Sequence, residues 1–278
     1  MLERTWIGAL ALAAVMSASG FVARAHDETK YPDLKGQWVT PGVSLNSPWD
    51  PAKPAGRGQQ APLTAEYQAI YEASLARQAE SGLGPLSSCI PPGMPRAMIA
   101  YEPMEIIVMP DTTYIMLAHM SEFRRIYTDD RKWPDDIEPA FAGFSIGKWE
   151  DTDGDGRFDT LVVETRGMKG SRTFDGSGIP MHKDNQTIVK ERIYLDRADP
   201  SVLHNEISIT DNALTRAWTV KRSYRRERDV EWNEYICSED NRMVTIGNET
   251  YRVSDDGFLT PTRRGQPAPD LKYFPNQR

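Results

Sequence analysis

The stretch of this chain whose spacing points most directly to chemistry is DTDGDGRFD, residues 151–159. Asp151, Asp153 and Asp155 stand at its first, third and fifth positions, Gly156 at the sixth and Asp159 at the ninth. Calcium is a hard cation that takes six to eight oxygens, and closely spaced carboxylates on a tight turn deliver them. The seventh position of such loops supplies a main-chain oxygen, which here is the carbonyl of Arg157. The pattern therefore reads as a structural calcium site made by Asp151, Asp153, Asp155, Arg157 and Asp159. It departs from a helix-loop-helix hand in two ways. Val162 occupies the twelfth position, where a bidentate Glu belongs, and the following TLVVET reads as a strand. The site is expected on a strand, with lower affinity. The competing reading is an acidic turn without an ion. Gly154 and Gly156 favour a turn by themselves, whereas unneutralised aspartates repel one another.

Other candidates for chemistry are weaker. In SEFRRIYT, alternation puts Phe123, Arg125 and Tyr127 on one face and Glu122, Arg124 and Ile126 on the other. Arg125 and Tyr127 can polarise a carbonyl or bind an anion, with Phe123 and Arg124 as ligand contacts. Glu164, Glu206 or His182 can serve as acid or base. The ordinary alternative for each is a solvated strand residue or a cross-strand ion pair. The remaining histidines are His119 at a strand end, His204 opening another strand, and His26. No HxH or HExxH spacing, GxSxG elbow, phosphate loop or dinucleotide fingerprint occurs, so no organic cofactor is indicated.

The elements that would position these groups are mostly strands. Residues 26–62 are rich in Pro and Gly and read as irregular, apart from a short strand at GQWV. LTAEYQAIYEASLARQAES, residues 63–81, reads as the one clear helix, with Thr64 as its cap and Tyr67, Ile70, Tyr71 and Leu75 on one stripe. From residue 97 the period becomes two. MEIIVMP and TTYIMLAH form a hairpin across Pro110-Asp111, and further alternating segments follow with turn residues between them. This predicts a mainly β fold: an antiparallel meander, sandwich or barrel in one domain over 63–260, with a Pro-rich tail at 261–278.

The amino terminus reads as an export leader. A short apolar run follows Arg4, and Ala23-Arg24-Ala25 fits the cleavage rule, so His26 would begin the mature chain. A terminal His can chelate copper through its amine and ring, but it needs a second His that spacing does not reveal. Export implies a secreted or periplasmic location. The formal net charge is −7. The leader carries Arg4, Arg24 and Glu3, one net positive charge, so its removal makes the chain more acidic still. That argues against nucleic acid as a partner. The basic run KRSYRRER, residues 221–228, fits a charged strand face. No later run is long and apolar enough to span a membrane. Cys89 and Cys237 are the only cysteines. In an oxidising compartment they either pair, which adds at most about 5 kcal/mol by loop entropy, or remain as two buried thiols. Sequence leaves the oligomeric state open.

Several blocks resemble an uncharacterised family of exported bacterial β-rich proteins: CIPPGMPR (89–96), PMEIIVMPD, FRRIYTDDRKWPDD, GFSIGKWE, DTLVVET, IVKERIY, AWTVKRSY and EYICSEDNR (234–242). The resemblance implies a β-rich fold and carries no catalytic residue. Against the family pattern WEGDTLVVET, this chain has DTDGDGRF in place of one Gly, so the aspartates look like an insertion at a hairpin tip. The comparison also shifts the register of His182.

The composite expectation is an exported β-rich protein that binds a small apolar or aromatic molecule and has a calcium-stabilised hairpin loop. The alternatives are a cofactor-independent lyase, isomerase or hydrolase, and a structural cell-envelope protein.

Overall fold

The computed structural model describes residues 27–42, 47–54, 56–81, 89, 91–119, 122–169, 186–229, 232, 236–237 and 242–270. The period-two segments become β1 (Gln37–Val39), β2 (Met104–Val108), β3 (Thr112–Leu117), β4 (Glu122–Tyr127), β5 (Phe144–Glu150), β6 (Thr160–Arg166), β7 (Ile188–Leu195), β8 (Val202–Thr210) and β9 (Trp218–Glu227). Each strand pairs with the next, and β9 returns to β1 to close a barrel. Closure leaves no strand edge unpaired.

The antiparallel expectation is corrected at one pair. β4 and β5 run parallel, with Ile126 opposite Ser145 and Tyr127 opposite Ile146. A ring with an odd number of strands cannot alternate direction all the way round, so one parallel pair is obligatory here. Residues 128–143 make the crossover that a parallel pair needs. Their Trp133 packs on the outward side chain of Phe144, with Arg166 stacked over its ring.

Alternation along each strand divides the barrel into inside and outside. On β8, Leu203, Asn205, Ile207 and Ile209 are buried, and on β9 so are Trp218, Val220, Arg222 and Tyr224. One end of the barrel is filled by a turn of 3-10 helix, Arg96–Ile99, every residue of which is buried. Met98 reaches far enough in for its Sδ to accept from Arg124 Nη1 at 3.2 Å. Gly93 has φ +61, and a Cβ there would meet the carbonyl oxygen of Phe141 at 2.7 Å, so this approach of two backbones requires glycine.

Helix α1 spans Ala65–Ser81, and Thr64 Oγ1 accepts from the Tyr67 amide at 3.4 Å. Its Tyr67 and Tyr71 pack with Ala213 in the β8–β9 connection, joined by Ile70 and Leu75. The short strand expected at GQWV forms as β1, and it closes the barrel. A second sheet of β10 (Met243–Ile246), β11 (Glu249–Val253) and β12 (Leu259–Pro261) follows the barrel. Cys89 and Cys237 form a disulfide, with Cα atoms 5.5 Å apart. No helix among the described residues is long and apolar enough to cross a membrane. The leader and His26 lie outside the described residues.

Candidate functional site

The aspartate loop is the tip of the β5–β6 hairpin, where Gly154 and Gly156 take φ +76 and +88. L side chains rarely adopt that region, so the two glycines permit the tight path. Asp151 is the hub of the turn. Its Oδ1 accepts from the amides of Gly154 at 2.7 Å and Asp155 at 3.2 Å, and its Oδ2 accepts from Gly156 at 2.9 Å. Asp159 accepts from the Thr152 amide and hydroxyl at 3.0 and 2.7 Å and from the Thr160 hydroxyl at 2.6 Å. Partial burial pushes the Asp159 carboxyl up, but these hydrogen bonds outweigh it and hold the group below the usual range.

Asp151, Asp153 and Asp159 each present an oxygen within 4.8 Å of the others. Three of the four expected carboxylates therefore converge. Asp155 falls outside this trio, and its Oδ1 takes the Arg157 amide at 2.8 Å instead. The donors are all oxygen, as a hard divalent cation requires.

The loop borders two grooves. One, of about 490 Å³, runs toward Arg192, Tyr194 and Glu206 on β7 and β8. The other, of about 530 Å³, lies between the segment 28–35 and β2, with walls formed by Tyr31, Leu34, Ile107, Val108 and Met109. Pro32 and Arg157 line both. The hairpin is fastened to the amino-terminal segment, because Phe158 donates its amide to the Lys30 carbonyl at 2.8 Å. Tyr31 packs between Trp149 and Phe158, with ring centroids 5.3 and 5.2 Å away. Ile107 and Met109 remain 42% and 47% exposed.

The β4 residues with the richest chemistry by sequence point outward. Phe123 is 60% exposed. Arg125 lies over the Tyr114 ring at 5.5 Å, and Tyr127 packs against Phe144 under the Arg131 guanidinium. Glu164 is also outward, held by Arg166 Nε at 2.6 Å and Lys190 at 3.6 Å. These residues make their contacts on the outer surface of the sheet. His204 bonds Asp196 at 3.0 Å and Ser223 at 2.9 Å, and Glu206 accepts from the Tyr194 hydroxyl at 2.6 Å. His182 lies outside the described residues.

The opposite face of β4 lines the barrel interior. Arg124 has its guanidinium on Glu191, at 3.2 Å from Nη1 and 2.6 Å from Nη2. Arg124, expected as a ligand contact, is here committed to an internal ion pair. Asn205 donates to Glu191 at 2.9 Å, and Thr165 accepts from Arg124 at 3.3 Å while sharing a hydrogen bond with Ser145. Arg222, from the basic run, also points inward and donates to the carbonyls of Pro48, Trp49 and Ile99. Tyr224 bonds the Met98 carbonyl at 2.6 Å, and burial pushes its hydroxyl up to about 12.

Glu122 sits on this inner face at the plugged end of the barrel. Both carboxylate oxygens are shut off from solvent without a hydrogen-bond partner of normal geometry among the described residues. Burial pushes the carboxyl up to about 7, against smaller opposing pulls from the Gly93 amide and Arg124. His119 belongs to the same hairpin. Burial, and then the nearby Arg96 charge, lowers its pKa. Arg96 in turn donates to the Tyr101 hydroxyl at 3.3 Å. Sequence reasoning passed over Glu122, Glu191, Asn205 and Arg222. The only signal for them was the second half of the same two-residue alternation.

Comparison with known proteins finds no match: no protein-family model, curated protein or solved structure corresponds to the chain.

Proposed function

We propose that the protein is an exported binding protein for small, mainly apolar molecules, and that the 151–159 hairpin holds a calcium ion that braces the rim of its binding groove. The observation that carries this reading is the groove of about 530 Å³ walled by Leu34, Ile107, Val108 and Met109. Its size falls within the roughly 300–1,000 Å³ typical of small-molecule sites, and so does its mostly apolar lining with a few polar groups. The barrel interior is an inferior candidate, because aliphatic side chains and the Arg124–Glu191 network occupy it. The experiment is calorimetric titration with neutral apolar probes, decanol and naphthol. Saturable binding that Ile107→Asp and Met109→Asp both remove supports the reading. No binding of either probe, or binding indifferent to both substitutions, would refute it.

A second reading, acid–base chemistry without a cofactor, is favoured by Glu122. A carboxyl that titrates near neutrality is suited to proton transfer. Catalysis there requires that small molecules reach it. Treatment with a water-soluble carbodiimide at pH 7, followed by peptide mapping, tests this. Modification at Glu122 keeps the reading, and full protection removes it.

A further inference from the structure

The charges around the apolar groove are unequal in how they are satisfied. Lys35 is paired with Glu28 at 2.8 Å. Asp33 is paired with Arg226 at 2.9 Å, and the Arg226 guanidinium also stacks over Trp38. Arg157 differs. Among the described residues its guanidinium makes no hydrogen bond, ion pair or ring contact, although its backbone is pinned by Asp155. Arg157 also lines the same groove as Ile107 and Met109. An apolar trough with an uncommitted guanidinium at its rim matches a molecule with a hydrocarbon body and an anionic head.

We infer that the groove takes an aliphatic monocarboxylate, with its chain along Leu34, Ile107 and Met109 and its carboxylate on Arg157. This rests on the binding reading above and names the ligand class for that site. The physical case has two parts. Guanidinium and carboxylate match in a planar, two-pronged arrangement that an ammonium cannot reproduce. The aliphatic wall is partly exposed in the absence of a ligand and gains by being covered. The position of Arg157 also has a structural basis. It follows Gly156 in the hairpin, so the backbone bonds that shape the aspartate turn also set where its side chain begins.

The test compares decanoate with decanol, which share a chain and differ in the head group, on the full mature protein. Decanoate is expected to bind roughly tenfold more tightly than decanol, the effect of one charge-assisted contact at a solvated rim. Arg157→Gln should abolish that preference, bringing decanoate affinity down to that of decanol. Arg157→Lys should restore part of it. The preference should weaken with added salt, as exposed charges are screened. Equal binding of both probes by the wild type, or an undiminished preference in Arg157→Gln, overturns the carboxylate assignment and leaves the apolar groove standing. Failure of both probes to bind overturns the groove itself. Unchanged melting temperatures of the Arg157 variants, whose side chain supports no described contact, separate loss of binding from loss of fold.

Discussion

Arg124 on β4 and Glu191 on β7 close a two-pronged ion pair across the barrel interior, with their side chains 1% and 0% exposed. The residues are far apart in sequence and their strands are not neighbours in the ring. The curl of the sheet through β5 and β6 brings them face to face.

Removing one partner strands a buried charge. Glu191→Gln is therefore expected to destabilise the protein by about 3–5 kcal/mol, because Arg124 then lacks a counter-charge. Replacing both with methionine should cost much less than either single change. Arg125→Ala, one residue away and facing out, should alter stability by no more than about 0.5 kcal/mol. Urea unfolding of the four proteins checks the order. An Arg125→Ala loss as large as that of Glu191→Gln would contradict the inside–outside assignment of β4.

Glu122 predicts a pH dependence of definite sign. The folded state retains its proton up to about pH 7, whereas an unfolded glutamic acid releases it near 4.5. Between those values the folded state binds the extra proton, so stability falls as pH rises through the window. Below it both states are protonated and the effect vanishes. Glu122→Gln should thus be more stable than wild type at pH 8, by up to about 3 kcal/mol, and lose that advantage by pH 4. Denaturation curves at the two pH values decide it, and a constant difference between the proteins would exclude the buried titration.

The aspartate loop separates turn chemistry from ion binding by residue. Asp151 accepts three backbone amides, so Asp151→Ala should destabilise the hairpin even in EDTA. Among the described residues Asp153 accepts the Asp155 amide at 3.3 Å and faces Arg197 at 3.6 Å, an exposed ion pair worth little. Asp153→Ala should therefore behave like wild type in EDTA and lose the stabilisation that calcium confers. Thermal melts with calcium and with EDTA distinguish these outcomes. Identical wild-type curves in both would count against the ion.

The Cys89–Cys237 bridge closes a loop of 148 residues in sequence separation. Cys89→Ser with Cys237→Ser should lower stability by about 2–5 kcal/mol. Guanidinium unfolding of the double variant against the oxidised wild type measures it, and a shift below about 1 kcal/mol would show that the unfolded chain gains little freedom from the cut.

What the sequence determined by itself is local. The glycines that let the chain turn at the aspartate loop, the Thr64-capped helix and the β2–β3 hairpin all rest on neighbours a few residues apart, and each lies where the local pattern put it, whereas of the spaced aspartates Asp151, Asp153 and Asp159 converge and Asp155 does not. The two cysteines left a single possible intramolecular bond, which forms. On β4 the alternation separated Phe123, Arg125 and Tyr127 from Glu122, Arg124 and Ile126, but period two says only that there are two faces. It does not say which one is interior. Arg125 and Tyr127 beside Phe123 made the outer face look like the site. Tertiary structure decides it, because a closed barrel can bury Arg124 where Glu191 and Thr165 supply its partners from other strands and Asn205 in turn holds Glu191. The same holds for Arg222, which finds carbonyls on segments more than a hundred residues away. A buried charge is tolerable only where distant groups satisfy it, and no local pattern contains those groups.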